Sequence, residues 1–261
     1  MPIDAIDTWL RPKSANPPRH LDNIGGGYEA IGKEFLSYFV ELGGLQQNDD
    51  VLDIGCGLGR MAKVLSGYLD DKGSYEGFDI VPSSIKWCQQ NIAIDRSTFH
   101  FHLIGIENPY YRQKSGLAAD QFEFPWPDQS FDFAFATSVF THMLPSAVAH
   151  YLNEAGRVLR PGGRLFATYS LINDEVEQLS SEGHRQLRKF KMRRPEYWAV
   201  SEAAPEALIA FPEKDVREAN SRSGLTVDAI YYGSWPGREN FTSTQDIVVS
   251  TKTAGATTPG P

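Results

Sequence analysis

The stretch Val51-Leu52-Asp53-Ile54-Gly55-Cys56-Gly57-Leu58-Gly59-Arg60 leads a short apolar segment into three glycines at alternate positions. Val51–Ile54 reads as a buried strand. Met61, Val64, Leu65 and Leu69 then recur at helical spacing, predicting a helix from about Gly59 to Leu69. Glycines between a strand and a helix allow positive φ and let a ligand come close to the backbone. The helix N-terminus beyond them offers unpaired N–H groups to an anionic end of that ligand.

This spacing differs from the dinucleotide fingerprint, which would need glycine where the chain has Arg60. Asp53, two residues before the first glycine, would repel a pyrophosphate and attract an ammonium group. A second acid, Asp79, ends the next expected strand in Glu76-Gly77-Phe78-Asp79-Ile80. A carboxylate there can accept both hydroxyls of a ribose. The two acids outline a ligand with an ammonium and a ribose but no pyrophosphate, which describes S-adenosylmethionine.

Outward from this loop, strands and helices alternate. Strands are expected at Tyr75–Ile80, Thr98–Ile104, Phe131–Ala136, Arg164–Leu171, Leu225–Tyr232 and Asp246–Lys252. Helices are expected at Tyr28–Leu42, from Pro82 or Ser83, at Ala147–Leu159 before Pro161-Gly162-Gly163, and at Val216–Ser223. The pattern predicts an α/β fold, a doubly wound and mainly parallel seven-stranded sheet with helices on both faces. Residues 1–48 read as an extension and helix, with four prolines keeping the first twenty residues extended. Residues 49–171 form the cofactor-binding core. Residues 172–212, polar and partly helical, read as a lid-like insertion before the last helix; 213–252 close the same domain, and 253–261 are expected to be disordered.

The 261 residues carry 25 Lys+Arg against 33 Asp+Glu, a formal charge of −8. An acidic chain without a basic block is a poor partner for nucleic acid. Cys56 and Cys88 give neither a disulfide framework nor metal-ligand spacing. No apolar run is long enough for a signal peptide or a membrane span, so a cytoplasmic protein is expected.

Four segments in order resemble the class I S-adenosylmethionine-dependent methyltransferases: VLDIGCGLGR, YEGFDI, FDFAFATSVFTHML and RVLRPGGRLFAT. The resemblance covers about residues 25–170. It implies S-adenosylmethionine as cofactor and S-adenosylhomocysteine as product, held by Asp53, Gly55, Cys56, Gly57, Gly59, Arg60, Asp79, Ile80, Ser84, Thr137 and Ser138. GFDIVPSSIKWC, SVFTHML, GSWPGR and QDIVV are similar to bacterial enzymes associated with glycan or glycolipid biosynthesis, implying a saccharide hydroxyl as acceptor. A nitrogen acceptor is disfavoured, because Thr137-Ser138-Val139-Phe140 stands where Asn/Asp-Pro-Pro-Tyr accompanies such acceptors.

His142 follows the fourth strand and is the candidate general base; a residue that only packs beside the cofactor is the competing reading. Tyr28, Tyr110, Tyr111, Trp235 and Arg238 are candidate acceptor contacts, each also readable as core or surface packing, and Tyr28 also as a residue that helps close the cofactor pocket. Arg188, Lys189, Lys191, Arg193 and Arg194 form the one cationic cluster, either a solvated face or a contact for an anionic acceptor. A divalent metal is compatible with such chemistry, but no local His/Asp/Glu spacing demands one. Two other readings compete: a natural-product O-methyltransferase acting on a phenol or polyketide, and a non-catalytic cofactor-binding protein. A nicotinamide oxidoreductase fails on Asp53 and Arg60.

Overall fold

The computed structural model describes residues 16–18, 27–106 and 117–255. Tyr110, Tyr111, most of the N-terminal extension and the last six residues lie outside them. The elements are α1 (Tyr28–Glu41), β1 (Asp50–Ile54), α2 (Arg60–Tyr68), β2 (Ser74–Asp79), α3 (Pro82–Asn91), β3 (Phe99–Leu103) and β4 (Phe131–Ala136). There follow α4 (Pro145–Val158), β5 (Leu159–Tyr169), β6 (Leu171–Ile172), α5 (Asp174–Ser181), β7 (Met192–Arg193), β8 (Trp198–Ala199), β9 (Ile209–Pro212), α6 (Glu213–Arg222), β10 (Leu225–Tyr231) and β11 (Asp246–Lys252).

Seven strands form one sheet in the order β10–β11–β5–β4–β1–β2–β3, and four short ones a second in the order β6–β9–β8–β7. β1 is parallel to β2 and β4, and β2 to β3, whereas β11 is antiparallel to β5 and β10. This is the expected α/β, Rossmann-like arrangement with a mostly parallel seven-stranded sheet. The chain divides into two compact units, residues 1–105 with 131–135 and residues 106–130 with 136–261.

In the first unit, β1 is buried on both faces from Val51 to Ile54, as a central parallel strand must be. On α1, Tyr28, Gly32, Leu36 and Phe39 form the buried stripe. A Cβ at Gly32 would lie 3.0 Å from the Arg60 carbonyl and 3.1 Å from Val64, so glycine there lets α1 close on α2. On β2, Tyr75 and Gly77 face inward, while Glu76 points the other way to His100 Nδ1 (2.8 Å) and His102 Nε2 (2.6 Å).

In the second unit, α4 starts with Pro145 at its first position. β5 begins at Leu159, earlier than the expected Arg164. Pro161 bars the helical conformation to the residue before it, and Leu159 is already extended at φ −74°, ψ 141°. β5 also ends earlier, at Tyr169, the last residue paired with β11; Leu171 N–H turns instead to Asp246 Oδ2 at 2.7 Å.

The insertion is more strand-rich than expected. α5 is capped by Asn173, whose Oδ1 accepts from Val176 N–H at 3.1 Å, and carries Asp174, Glu175 and Glu177 in its first turn. β7, β8 and β9 follow as an antiparallel set, and β9 returns parallel to β6. Val176, Leu187, Phe190, Trp198 and Trp235 pack there as a small core. Of the cationic cluster, Arg193 lies 4.2 Å over the Trp198 ring and Arg188 Nε donates to the Gly183 carbonyl.

Candidate active site

The glycine loop of the first unit needs all three glycines. Gly55, Gly57 and Gly59 stand at φ 78°, 50° and 71°, in the left-handed region that other residues enter at a cost. At Gly59 an added Cβ would also meet Ile92 Cδ1 at 2.6 Å and Cys88 Sγ at 2.8 Å, so the glycine lets the start of α2 seat against α3. At Gly57 it would meet nothing within 4 Å, so space opens above this backbone. The loop is stitched to the end of β2: Gly55 and Cys56 N–H both donate to the Phe78 carbonyl, and Gly57 N–H donates to Asp79 Oδ2 at 2.9 Å. Asp79 Oδ1 accepts from Val81 N–H at 2.8 Å. Burial raises the Asp79 carboxyl above its usual range, against these backbone donors.

Asp53 is only 1% exposed. Its Oδ2 accepts the Tyr75 hydroxyl at 2.6 Å, and its Oδ1 is buried without a hydrogen-bond partner. Such an oxygen costs stability unless something supplies a donor. Burial pushes this carboxyl up to about 8; the Tyr75 hydrogen bond opposes the rise and Asp79 adds to it.

Cys56 is buried too. Its thiol is driven well above the usual range by burial and by Asp53 and Asp79, so it is a small filler with no nucleophilic character. Tyr28 sits on the glycine loop, its hydroxyl donating to the Leu58 carbonyl at 2.8 Å, with Arg60 5.8 Å from its ring. Of the two sequence readings of Tyr28, an acceptor contact or a residue closing the cofactor pocket, this placement lies beside the glycine loop. Ser84 is buried in the first turn of α3, and Ile80 is half-buried just past β2.

In the second unit, Thr137 and Ser138 directly follow β4. Ser138 is exposed and stands at φ 58° without being glycine. Its N–H donates to Thr168 Oγ1 at 2.8 Å and its Oγ to Gln245 Oε1 at 3.0 Å, while Thr168 Oγ1 donates to the same oxygen at 2.7 Å. Gln245 Nε2 donates to Thr141 Oγ1 at 3.3 Å. His142 is half-buried, and its Nδ1 donates to the Glu206 carbonyl at 2.9 Å. A carbonyl can only accept, so in the neutral ring the basic lone pair lies on Nε2.

Asp246 is fully buried at the head of β11. It accepts from Leu171 N–H, Gly233 N–H, Trp235 Nε1 and Arg238 Nη1. Burial still raises its carboxyl, against those donors. Arg238 also gives Nε to Glu175 at 2.7 Å, while its buried Nη2 lacks a partner. Trp235, read as an acceptor contact or as core packing, is tied into the small core by Asp246 and by an edge-to-face contact with Phe190. Tyr75, Thr168, Gln245 and Asp246 were not singled out in the sequence. The one signal for Tyr75 was its shared strand face with Gly77.

A strand–glycine loop–helix unit with an acid before the loop and another ending the next strand is the arrangement expected of a class I S-adenosylmethionine-dependent methyltransferase domain. Residues 52–167 match the family described as a methyltransferase domain. A sterol 24-C-methyltransferase of Gibberella zeae is 29% identical over 62% of this chain and 37% of its own length. An O-methyltransferase of Penicillium expansum is 32% identical over 49% of this chain and 40% of its own. The matched segments thus span less than half of these relatives. The solved structure of a methyltransferase from Methanosarcina mazei shares the fold at a TM-score of 0.55 and 22% identity, over 82% of this chain and 97% of that one. No helix among the described residues is long and apolar enough to cross a membrane. Nor do the described residues contain a group of three or more His, Cys, Asp or Glu arranged for a metal ion.

Proposed function

We propose that the chain transfers a methyl group from S-adenosylmethionine to a hydroxyl of a neutral small molecule, with saccharides the first class to screen. The observation that carries the cofactor reading is Asp53 Oδ1, a buried acceptor awaiting a donor. An ammonium group meets that need, and the clear space above Gly57 admits a ligand to the backbone. Asp79 supplies acceptor oxygens for a ribose; Ser84, Ile80, Thr137 and Ser138 complete the proposed contacts. When bound, this cofactor supplies an electrophilic methyl carbon on a sulfonium.

The chain's own task is then to hold the acceptor and take its proton. In our reading His142 removes the hydroxyl proton at Nε2, because the Glu206 carbonyl holds Nδ1 as the donor. Placing a base in this way contributes roughly 10²–10⁴-fold. Arg238 Nη2 is a donor for an acceptor oxygen. Two carboxylates, Glu175 and Asp246, already outnumber that guanidinium, so a neutral oxygen suits it better than a phosphate. With Trp235 committed to the core, the saccharide reading rests on the sequence resemblance and on Arg238.

Carbon methylation is the second reading, favoured by the similarity to sterol C-methyltransferases. Incubation with methyl-labelled S-adenosylmethionine and panels of saccharides, phenols, polyketides and sterols, followed by NMR of the product, decides between them. A methyl ether supports the hydroxyl reading and a new carbon–methyl bond replaces it. Tight cofactor binding without turnover on any panel would leave a binding protein.

A further inference from the structure

Asp53 does not settle its own orientation. Its neighbour across the sheet, Gly77, has no side chain, and that vacancy is filled by the tip of Tyr75. A Cβ at Gly77 would lie 2.6 Å from the Tyr75 hydroxyl oxygen. The Tyr75 ring is itself immobilised, fully buried and stacked on Phe99 of β3 with centroids 4.9 Å apart and planes 10° apart. Phe101 packs on it at 5.3 Å. Ring packing thus places the hydroxyl, and the hydroxyl engages one carboxylate oxygen of Asp53 and leaves the other without a partner.

We propose that Tyr75 is a positioning residue for the cofactor: its hydroxyl holds Asp53 so that Oδ1 is presented to the ammonium group of S-adenosylmethionine. The proposal rests on the cofactor reading above. The groups facing Asp53 are Tyr75 and Asp79 from β2, Cys56 from the loop and Cys88 from α3. None of these is cationic, so among the described residues the carboxylate has no positive partner and an ammonium ligand would supply one. A donor hydroxyl favours the ionised form of the acid, which is the form an ammonium binds.

The test is calorimetric titration of S-adenosylhomocysteine into the full chain between pH 6 and pH 8. The carboxyl of the free protein lies at about 8, so affinity of the parent rises across this range as Asp53 ionises. Tyr75→Phe keeps the ring and removes only the hydroxyl. It is expected to bind about tenfold more weakly at pH 7, with the rise displaced to higher pH. Gly77→Ala, which pushes on the hydroxyl, should behave the same way. Asp53→Asn should flatten the pH dependence. Thermal midpoints confirm that each variant is folded, and should Tyr75→Phe fail to fold, Gly77→Ala and Asp53→Asn still decide.

Parent-like affinity and an unchanged pH profile in both Tyr75→Phe and Gly77→Ala overturn the role of Tyr75 while leaving the cofactor reading standing. A parent that binds no S-adenosylhomocysteine at any pH overturns the cofactor reading and this proposal with it.

Discussion

Ser138 and Thr168 are joined across the second unit by a bond from the Ser138 backbone N–H to the Thr168 hydroxyl, with Ser138 held at φ 58°. Neither partner is satisfied alone, because Thr168 passes its own proton to Gln245. Thr168→Val keeps the shape but removes the relay. It is expected to cost about 1–3 kcal/mol, read from urea unfolding. Ser138→Gly loses one exposed hydroxyl bond but relieves a left-handed backbone, so its stability should equal or exceed the parent's. A loss of more than about 1 kcal/mol in Ser138→Gly would count against strain at this position.

Asp79 ties the glycine loop to the start of α3 through Gly57 N–H and Val81 N–H, and is the proposed ribose contact. Asp79→Ala should weaken S-adenosylhomocysteine binding by at least about tenfold, since a charge-assisted contact is lost. Asp79→Asn keeps an acceptor for a backbone N–H and should fall between the two. Calorimetry at pH 7 reads both, and equal affinity in all three proteins would remove Asp79 from the site.

His142→Ala should lower turnover at least about tenfold once an acceptor is found, with cofactor affinity changed less than about twofold. Full retained turnover sinks the base assignment. A loss of cofactor affinity in place of turnover would make His142 a packing residue.

Asp246 collects four donors, one of them a buried guanidinium. Asp246→Ala strands Arg238 and should destabilise by about 3–5 kcal/mol. Asp246→Asn, which keeps the acceptor oxygen but not the charge, should cost less. Denaturant midpoints at constant slope check this, and a near-neutral alanine variant would contradict the network.

The buried acid of the glycine loop also ties stability to pH. The Asp53 carboxyl is raised from 3.8 to about 8 by burial, so the folded chain binds a proton that the unfolded chain has released. Stability of the ligand-free protein from this group is full below about pH 4 and declines as pH rises toward 8. Asp53→Asn abolishes that decline and should raise the thermal midpoint at pH 8 by at least about 2 °C. An unchanged midpoint would mean that Asp53 stays ionised when folded.

Sequence periodicity located the seven strands of the main sheet well, because strands buried on both faces leave short, mostly apolar segments such as Val51–Ile54 and Phe131–Ala136, each interrupted by a single aspartate. It placed Asp53 and Asp79 beside the loop because strand ends and glycines are local signals. The insertion was less legible. β7 and β8 are two residues each, too short for alternation to register, and they exist only through the pairing of β7 with β8 and of β8 with β9. The partners of Asp53 and Ser138 were invisible for another reason: Tyr75 and Gln245 lie 22 and 107 residues away, and only the folded register brings them in. Trp235 stayed open between acceptor contact and core packing because an indole beside Gly and Pro gives no sign of whether its N–H meets a ligand or a buried carboxylate.

The parallel pairing of β6 with β9 aligns Leu171 with Phe211 and Ile172 with Pro212, so the chain leaves the main sheet and comes back alongside its own point of departure. Whatever lies between these two anchors is a cassette, attached at neighbouring sockets and supplying most of a miniature core that Trp235 completes. Exchange of residues 173–208 for an excursion of another length or chemistry would leave the β5–β11 ladder uncut. A fold wired this way lets one excursion be replaced while the glycine loop, encoded far upstream, is left unaltered.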